Sequence, residues 1–312
     1  MRVLVFGAGV IGRIYAGRLI EAGHQVSLVC RARTAANIEA NGIVLRRNGT
    51  VAEVVRPPVF SRVSDAGSFD VALVAIRRDQ VREALPLLRL IQSDTIVSLI
   101  DLPLGLDELS VALGRERYVP AFPGVGGSIG RDGVVDYLEV KQQPTTIGWS
   151  PHAPVATALF SSAGFATATT RDMTAWLKTH AVFISAIESS IVHYGGDVVA
   201  LANDRVAVRD LVLAVREGFR GLHSIDVPVL PTALRVVFLT MPAWFGTRYW
   251  GRALAGPLGA LGMAPHSRAS RGTELPALQD DVRTILEGHP TPLLDAIFDG
   301  ALGSLPAKKR LA

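Results

Sequence analysis

The sequence lacks the features that would mark a disulfide-bonded, nucleic-acid-binding or membrane-spanning protein. Its single cysteine, Cys30, excludes an intramolecular disulfide and a cysteine-based metal cluster, and it favours a reducing, cytoplasmic compartment. The net charge is only +4 and the basic residues are scattered, so no basic stripe predicts a nucleic-acid partner. The most apolar region, residues 236–265, contains arginines and prolines, so we expect no membrane span. No spacing of His, Asp or Glu indicates a metal site.

What the chain does have is apolar material, 49% of its 312 residues, which suffices for a sizeable core. In the first half, short β-branched runs predict strands at residues 2–6, 25–30, 70–76 and 95–100. Helical patterns separate these runs, and such alternation predicts a parallel, doubly wound sheet. Residues 118–148 are rich in turns and β-formers, and we expect two or three antiparallel strands there that extend the sheet.

The second half of the chain has helical periodicity. The clearest helical segments are residues 173–194, 203–224, 231–240 and 273–287. The predicted fold class is therefore α/β, with an N-terminal Rossmann dinucleotide-binding domain followed by a C-terminal all-helical domain. We place the two domains at residues 1–168 and 169–312.

The stretch "GAGVIG" follows the first predicted strand and opens a helix, the context in which G-x-G-x-x-G predicts dinucleotide binding. Gly7 permits the tight turn, Gly9 lets the backbone approach a pyrophosphate, and Gly12 lets the helix pack closely on the sheet. The helix N-terminus offers unpaired N–H groups to the phosphates. The other motif residues with a predicted cofactor contact are Ala8, Val10 and Ile11. The alternative is an ordinary glycine-rich turn.

The end of the second strand, "VCRART", predicts which dinucleotide binds. An NAD site has an acidic residue here for the ribose 2′-hydroxyl, but this chain has Arg31 and Arg33 and no acid until Glu39. Cations at this place suit the 2′-phosphate of NADP(H). The alternative is that both arginines are merely exposed in a loop.

Together these motifs resemble ketopantoate reductases, which reduce 2-dehydropantoate with NADPH. The resemblance extends over the whole chain, through "GAGVIG", Arg31, "RDGVVDYLEVKQQPTTIG", "AWLK" and "RGTEL". It implies that Lys178, two residues after Trp176, is the general acid, and that Glu274, three after Arg271, orients and holds the reacting charges. It further implies a helical domain like that of 6-phosphogluconate dehydrogenase, with the reaction in the cleft between the domains. A homodimer formed through the helical domain is an additional expectation.

The chain departs from the family where substrate is bound. Arg77 stands where the family has a lysine near the cofactor, and Asp101 stands where it has an asparagine. The family's two substrate-binding asparagines are replaced by Val182 and Ala186. Its substrate-binding serine has no ungapped equivalent, and Ser270 or Ser267 could substitute for it.

These departures predict an NADPH-dependent reductase of a 2-oxo acid or ketone whose small-molecule substrate is not ketopantoate. Two alternatives stay open: an authentic 2-dehydropantoate 2-reductase, or an NADP(H)-binding sensor without turnover. Three further polar residues are considered. His180 lies on a different side of its helix from Lys178 and is expected to be structural. Glu188 is unusual in an otherwise apolar helix, and exposure to solvent is the simple explanation for it; His266 is a minor site candidate.

Overall fold

The computed structural model describes residues 1–47, 49–51, 54–140 and 142–300. The chain divides into two compact units, Met1–Met173 and Thr174–Ala312. The boundary predicted after residue 168 would cut the last strand of the first unit, Thr167–Thr170, so the observed division lies slightly later.

The first unit is built around an eight-stranded sheet. The strands of this unit are β1 Arg2–Phe6, β2 Gln25–Val29, β3 Leu45–Arg47, β4 Thr50–Val51, β5 Val59–Phe60, β6 Ser68–Val74, β7 Gln92–Leu99, β8 Tyr118–Phe122, β9 Val125–Ile129, β10 Val135–Glu139, β11 Thr145–Gly148 and β12 Thr167–Thr170. The large sheet has the order β12-β11-β8-β7-β6-β1-β2-β5. Six neighbouring strands of this sheet are parallel, namely β8, β7, β6, β1, β2 and β5. The chain adds β2 and β5 on one side of β1 and then β6, β7 and β8 on the other, so the direction of strand addition reverses beside β1. This is the doubly wound Rossmann order, so the predicted fold class is confirmed.

Alternating side chains of β1 enter two different cores. Val3 and Val5 belong to one apolar cluster, whereas Leu4 and Phe6 belong to the other. Because both faces of the sheet are buried, β1 is apolar from Val3 to Phe6, as is typical of strands in parallel sheets. The helices of this unit are α1 Val10–Glu21, α2 Ala32–Asn41, α3 Val81–Leu88, α4 Leu106–Leu113 and α5 Ala153–Ser162.

The expected antiparallel extension after residue 118 is only partly found. β8 joins the large sheet in parallel to β7, and β11 then pairs antiparallel to β8. β9 and β10 leave this sheet and form a second one, of order β4-β3-β10-β9, in which β10 lies parallel to β3. The prediction was wrong for these two strands because β10, which pairs antiparallel with β9, pairs on its other side with β3, which is far away in sequence.

The second unit is helical. Its helices are α6 Met173–His193, which starts one residue before the division, α7 Val198–Asn203, α8 Arg205–Ser224, α9 Thr232–Arg235, α10 Ala243–Ala255, α11 Ala264–Ser270, α12 Glu274–Ile285 and α13 Pro292–Phe298. Asp197 and Asp204 cap α7 and α8, each accepting two backbone N–H groups. The predicted helix at 231–240 is a short α-helix followed by a π-helical segment, Val236–Thr240.

Within the described part of the chain, no helix combines the length and the apolar character needed to cross a membrane.

The contact between α6 and α8 generates a stability prediction. A Cβ added to Gly218 in α8 would lie 2.5 Å from Cγ1 of Val182, a stiff β-branched side chain. We expect Gly218→Ala to lower the free energy of unfolding by about 1–2 kcal/mol, since overpacking outweighs the gain in helix propensity. Gly251→Ala in α10 is the matched control, because its nearest atom lies at an ordinary 3.5 Å, and it should stabilise slightly. Urea unfolding measures both, and equal effects would contradict this account of the packing.

Candidate active site

The glycine motif forms the loop between β1 and α1. The N–H of Gly7 donates to the carbonyl of Val29 at 2.9 Å, and the N–H of Ala75 donates to the carbonyl of Phe6 at 2.8 Å. The loop is therefore tied to the ends of both neighbouring strands, β2 and β6. Ligands of doubly wound sheets bind at this point, where the strand order reverses.

Each of the three glycines has a different surrounding. Gly7 has a φ of 104°, and a Cβ there would overlap the carbonyl oxygen of Ala75. A Cβ on Gly12 would overlap the carbonyl oxygen of Gly7, so only glycine lets α1 begin this close to the loop. Gly9 is exposed, with no atom within 4 Å of its Cβ position. Gly7 and Gly12 are thus needed by the fold, whereas Gly9 leaves space for a ligand.

The first turn of α1 is suited to an anion. Gly9 is its N-cap and supplies no side-chain acceptor, and the first turn contains no acidic residue. The backbone N–H groups of the first turn, including those of Val10 and Ile11, start a helix whose dipole favours negative charge. Ala8, in the loop itself, is buried. This geometry can cradle a phosphate.

The charged residues predicted near the cofactor lie in loops at the same edge of the sheet. Because β1, β2, β6 and β7 are parallel, the loops that follow them share one edge. Arg31 is the N-cap of α2 and is exposed, like Arg33, and neither side chain has a hydrogen-bond or ion-pair partner among the described residues. Arg77, after β6, is exposed and pairs with Asp79 at 3.2 Å. Asp101, after β7, is half-buried.

Lys178 is half-buried near the start of α6. Trp176 stacks on His180, with ring centroids 5.3 Å apart and planes 8° from parallel. Val182 and Ala186 are fully buried in the apolar core of the helical unit. Their predicted contact with substrate is not apparent from this packing, and it stays a prediction.

A polar cluster lies inside the helical unit and joins α6 to α11. Glu188 is only 2% exposed, so the expectation that it faces solvent was wrong. The Ser270 hydroxyl donates to its Oε2 at 2.7 Å, and Nε2 of His266 lies 3.1 Å from its Oε1. Glu274, the first residue of α12, is buried, and its Oε2 has no hydrogen-bond partner among the described residues.

Burial raises the pKa of Glu188, and the nearby Glu274 carboxyl raises it as well, while His266 and the Ser270 hydroxyl act in the opposite direction. The structure therefore groups the predicted residues Ser270 and Glu274 with His266, a minor site candidate, and with Glu188, which had not been assigned to the site. Sequence reasoning had one signal for Glu188, an acidic residue in an otherwise apolar helix.

Lys178 lies away from the middle of this cluster. Glu188 follows it by ten residues on α6, which corresponds to about 15 Å along a helix axis. No ion pair joins Lys178 to Glu274 in the described part of the chain. The partnership of these two residues therefore stays a prediction. Within the described residues, no group of three or more His, Cys, Asp or Glu is arranged to hold a metal ion.

Comparison with known proteins gives a family match for the N-terminal unit and a fold for the chain. Residues 3–148 match the model of the family described as "Ketopantoate reductase PanE/ApbA". No curated protein matches the chain. The sequence-derived resemblance to ketopantoate reductases is confirmed by the family match over the N-terminal unit.

Solved structures match the chain over nearly its whole length. D-mandelate dehydrogenase, in a ternary structure with NADH and anilino(oxo)acetate, has a TM-score of 0.76 at 13% identity, covering 96% of this chain and 97% of its own. The 2-dehydropantoate 2-reductase from Geobacter metallireducens has a TM-score of 0.76 at 17% identity, covering 96% and 99%. A PanE/ApbA family ketopantoate reductase from Ralstonia eutropha has a TM-score of 0.70 at 19% identity, covering 96% of both chains. At such identities these likenesses show the fold.

The surroundings of Gly9 and Gly12 predict that alanine at the first position weakens dinucleotide binding, whereas alanine at the second lowers stability. Gly9→Ala should leave the free energy of unfolding nearly unchanged, because the site is open and the φ of −75° suits alanine. It should weaken dinucleotide binding by about tenfold or more, about 1.4 kcal/mol, because the added methyl occupies the ligand's side of the loop. Gly12→Ala should instead lower the melting temperature sharply, because it forces α1 away from Gly7. Thermal melts and fluorescence titration with NADPH distinguish the two; loss of stability in Gly9→Ala would contradict the assignment.

A second prediction concerns pH. Burial, with a smaller effect of His266, lowers the pKa of His180 from 6.5 to about 3. The folded-state pKa lies below the ordinary value, so the folded protein favours the neutral form of His180 more than the unfolded chain does. The contribution of this difference to the free energy of unfolding is complete above pH 6.5 and is lost as the pH falls toward about 3. Protonation of His180 in the unfolded chain should therefore lower the free energy of unfolding at about pH 4 by on the order of 3 kcal/mol, relative to its value above pH 6.5.

His180→Phe keeps an aromatic ring against Trp176 but cannot bind a proton, so its stability should fall less steeply with acid. His193→Phe, an exposed position on the same helix, is the control and should keep the parent slope. Denaturant unfolding at a series of pH values measures the slopes. Identical slopes for the parent and His180→Phe would refute the prediction.

Proposed function

We propose that this chain is an NADPH-dependent reductase of a 2-oxo acid or ketone. The observation that carries the proposal is the open cradle at Gly9, followed at the end of β2 by arginines without a carboxylate partner. This cradle belongs to a unit that matches the ketopantoate reductase family, in a fold shared with two kinds of enzymes named for 2-oxo and 2-hydroxy acid chemistry.

The residues of the first unit fit a nicotinamide dinucleotide. The loop from Gly7 to Gly12 would hold the pyrophosphate through its backbone N–H groups and the α1 dipole. Arg31, exposed and unpaired, would bind the 2′-phosphate. D-mandelate dehydrogenase, a structural neighbour, was solved with NADH, so the fold by itself allows either dinucleotide. The preference for NADPH rests on the positive charge after β2.

When bound, the reduced nicotinamide supplies a hydride to the substrate carbonyl carbon. Negative charge then builds on the carbonyl oxygen, and an ammonium group held beside that oxygen stabilises it. Lys178 is the residue we assign to this role and to the donation of the proton, and its half-buried position strengthens its electrostatic effect. Glu274 would help to orient and hold the charges.

The substrate is proposed to be less polar than ketopantoate. Val182 and Ala186 offer no hydrogen bond where the family has asparagines, and both are packed into the core. Asp101 would repel a substrate carboxylate placed next to it. The anilino(oxo)acetate in the D-mandelate dehydrogenase structure is a 2-oxo acid derivative with an aromatic ring. Aryl ketones keep such a ring but have no carboxylate for Asp101 to repel, so they are the first class to test, with aryl 2-oxo acids as the comparison.

One observation favours a second candidate, an NADP(H)-binding sensor without turnover. In the helical unit, Lys178 and Glu274 do not form an ion pair, and two presumed substrate positions are core residues. A sensor would bind NADPH but would not oxidise it with any carbonyl compound. Ketopantoate reduction at ordinary efficiency would instead establish the authentic reductase.

The test is NADPH oxidation across a panel of aliphatic and aryl 2-oxo acids, ketones and ketopantoate. For the best substrate, Lys178→Met should lower kcat by about 10²–10⁴-fold, because the carbonyl oxygen loses its proton donor. NADPH affinity should stay unchanged in this variant. Arg220→Met, which removes an exposed cation from α8, is the control and should retain full turnover. Unaltered kcat in Lys178→Met would remove the assignment, and the absence of turnover with every compound would favour the sensor.

A further inference from the structure

One buried cation of the first unit has no part in the reaction described so far. Arg13 lies on α1 directly after the glycine motif, and only 6% of its surface is exposed. Its Nε donates to the carbonyl oxygen of Ala8 at 3.0 Å. The guanidinium is therefore held against the loop that would cradle the cofactor phosphates.

Among the residues that the structure describes, no acidic group pairs with this guanidinium. No ion pair of Arg13 occurs among the described residues, and the titratable group coupled to it is the Cys30 thiol at the end of β2. Burial raises the pKa of Cys30 more than Arg13 lowers it, so the thiol stays protonated near neutral pH. Glu39 acts on Cys30 but does not pair with Arg13. Although burial lowers the pKa of Arg13, an arginine remains charged near neutral pH.

Two of the donor nitrogens of Arg13 are still available. Nη1 and Nη2 make no hydrogen bond with the described residues, yet neither is sealed from solvent. A guanidinium in a low-dielectric place is costly unless an anion pairs with it, and its fork geometry matches phosphate oxygens. The free nitrogens therefore fit a ligand anion that reaches the edge of the sheet.

The position of Arg13 indicates which anion this is. Ala8, which accepts the hydrogen bond from Nε, lies in the loop after β1. Cys30, whose thiol interacts electrostatically with the guanidinium, directly follows β2 and directly precedes Arg31. In doubly wound folds, the end of the second strand receives the adenosine ribose of the dinucleotide. An arginine of α1 held against the loop after β1 is therefore suited to bind a 2′-phosphate together with Arg31.

We propose that Arg13 binds the 2′-phosphate of NADP(H) from α1 and, with Arg31, determines the preference for NADP(H) over NAD(H). This inference rests on the proposed function, because it requires that the chain binds a nicotinamide dinucleotide. It adds a specificity-determining residue within the glycine-motif helix, where the sequence pattern assigns only backbone contacts. The hydrogen bond from Nε to the Ala8 carbonyl oxygen holds the guanidinium against the loop.

The experiment compares Arg13→Gln with the parent protein in equilibrium titrations of NADPH, NADH and 2′,5′-ADP. Glutamine can still donate to the Ala8 carbonyl but has no charge. We expect the affinity for NADPH and for 2′,5′-ADP to fall by about tenfold or more, and that for NADH to change by less than about twofold. Arg31→Gln should show the same selectivity, whereas Arg89→Gln, at an exposed position at the C-terminal end of α3, serves as the charge-matched control.

Each outcome decides between the proposals. Equal losses for NADPH and NADH would overturn the 2′-phosphate assignment and place Arg13 at the pyrophosphate or the loop. Unchanged NADPH affinity in Arg13→Gln would overturn it entirely, with the proposed function intact. A parent protein that binds neither dinucleotide would instead refute the proposed function. If Arg13→Gln fails to fold, Arg13→Lys gives the same comparison, because a point charge without the fork should still reduce the ratio of NADPH to NADH affinity.

Discussion

The close approach of α1 to the loop after β1 is the constraint on which the first unit depends. Gly12 lies against the carbonyl oxygen of Gly7, and Gly7 in turn lies against that of Ala75. Any side chain at either position would push apart β1, β6 and the start of α1. This tight packing holds the helix N-terminus in place at the edge of the sheet while Gly9 stays open. Fold and binding geometry therefore come from the same short stretch, but from different glycines in it.

The two units bury charge in different ways. In the helical unit, Glu188 is buried with internal partners, since Ser270 donates to one carboxylate oxygen and His266 lies beside the other. In the Rossmann unit, Arg13 is buried with one backbone acceptor and without a carboxylate. Internal partners are expected for a group that supports the structure or positions Glu274. A buried cation whose remaining donors are open is expected for a group that binds an external anion.

The sequence predicted well what depends on neighbouring residues. β1 was placed at residues 2–6 and α6 at 173–194, and both agree with the structure to within a residue, because alternation and helical periodicity are local. The pairing of β10 with β3 was missed because strand partners are selected by packing across the whole domain. Glu188 was wrongly expected in solvent, because its burial depends on α11 and α12, which are distant in sequence.

By itself, then, the sequence determined the Rossmann class, the glycine motif and the positive charge after β2. These features follow from local patterns, since the chemical nature of a side chain and its spacing do not depend on distant contacts. Only the tertiary structure decided that Gly9 alone among the three glycines is open, that Val182 and Ala186 are core residues, and that Arg13 and Glu188 are buried. Burial is a property of the whole packed unit, so a pattern along the chain can indicate which residues carry charge but not which of them are removed from water.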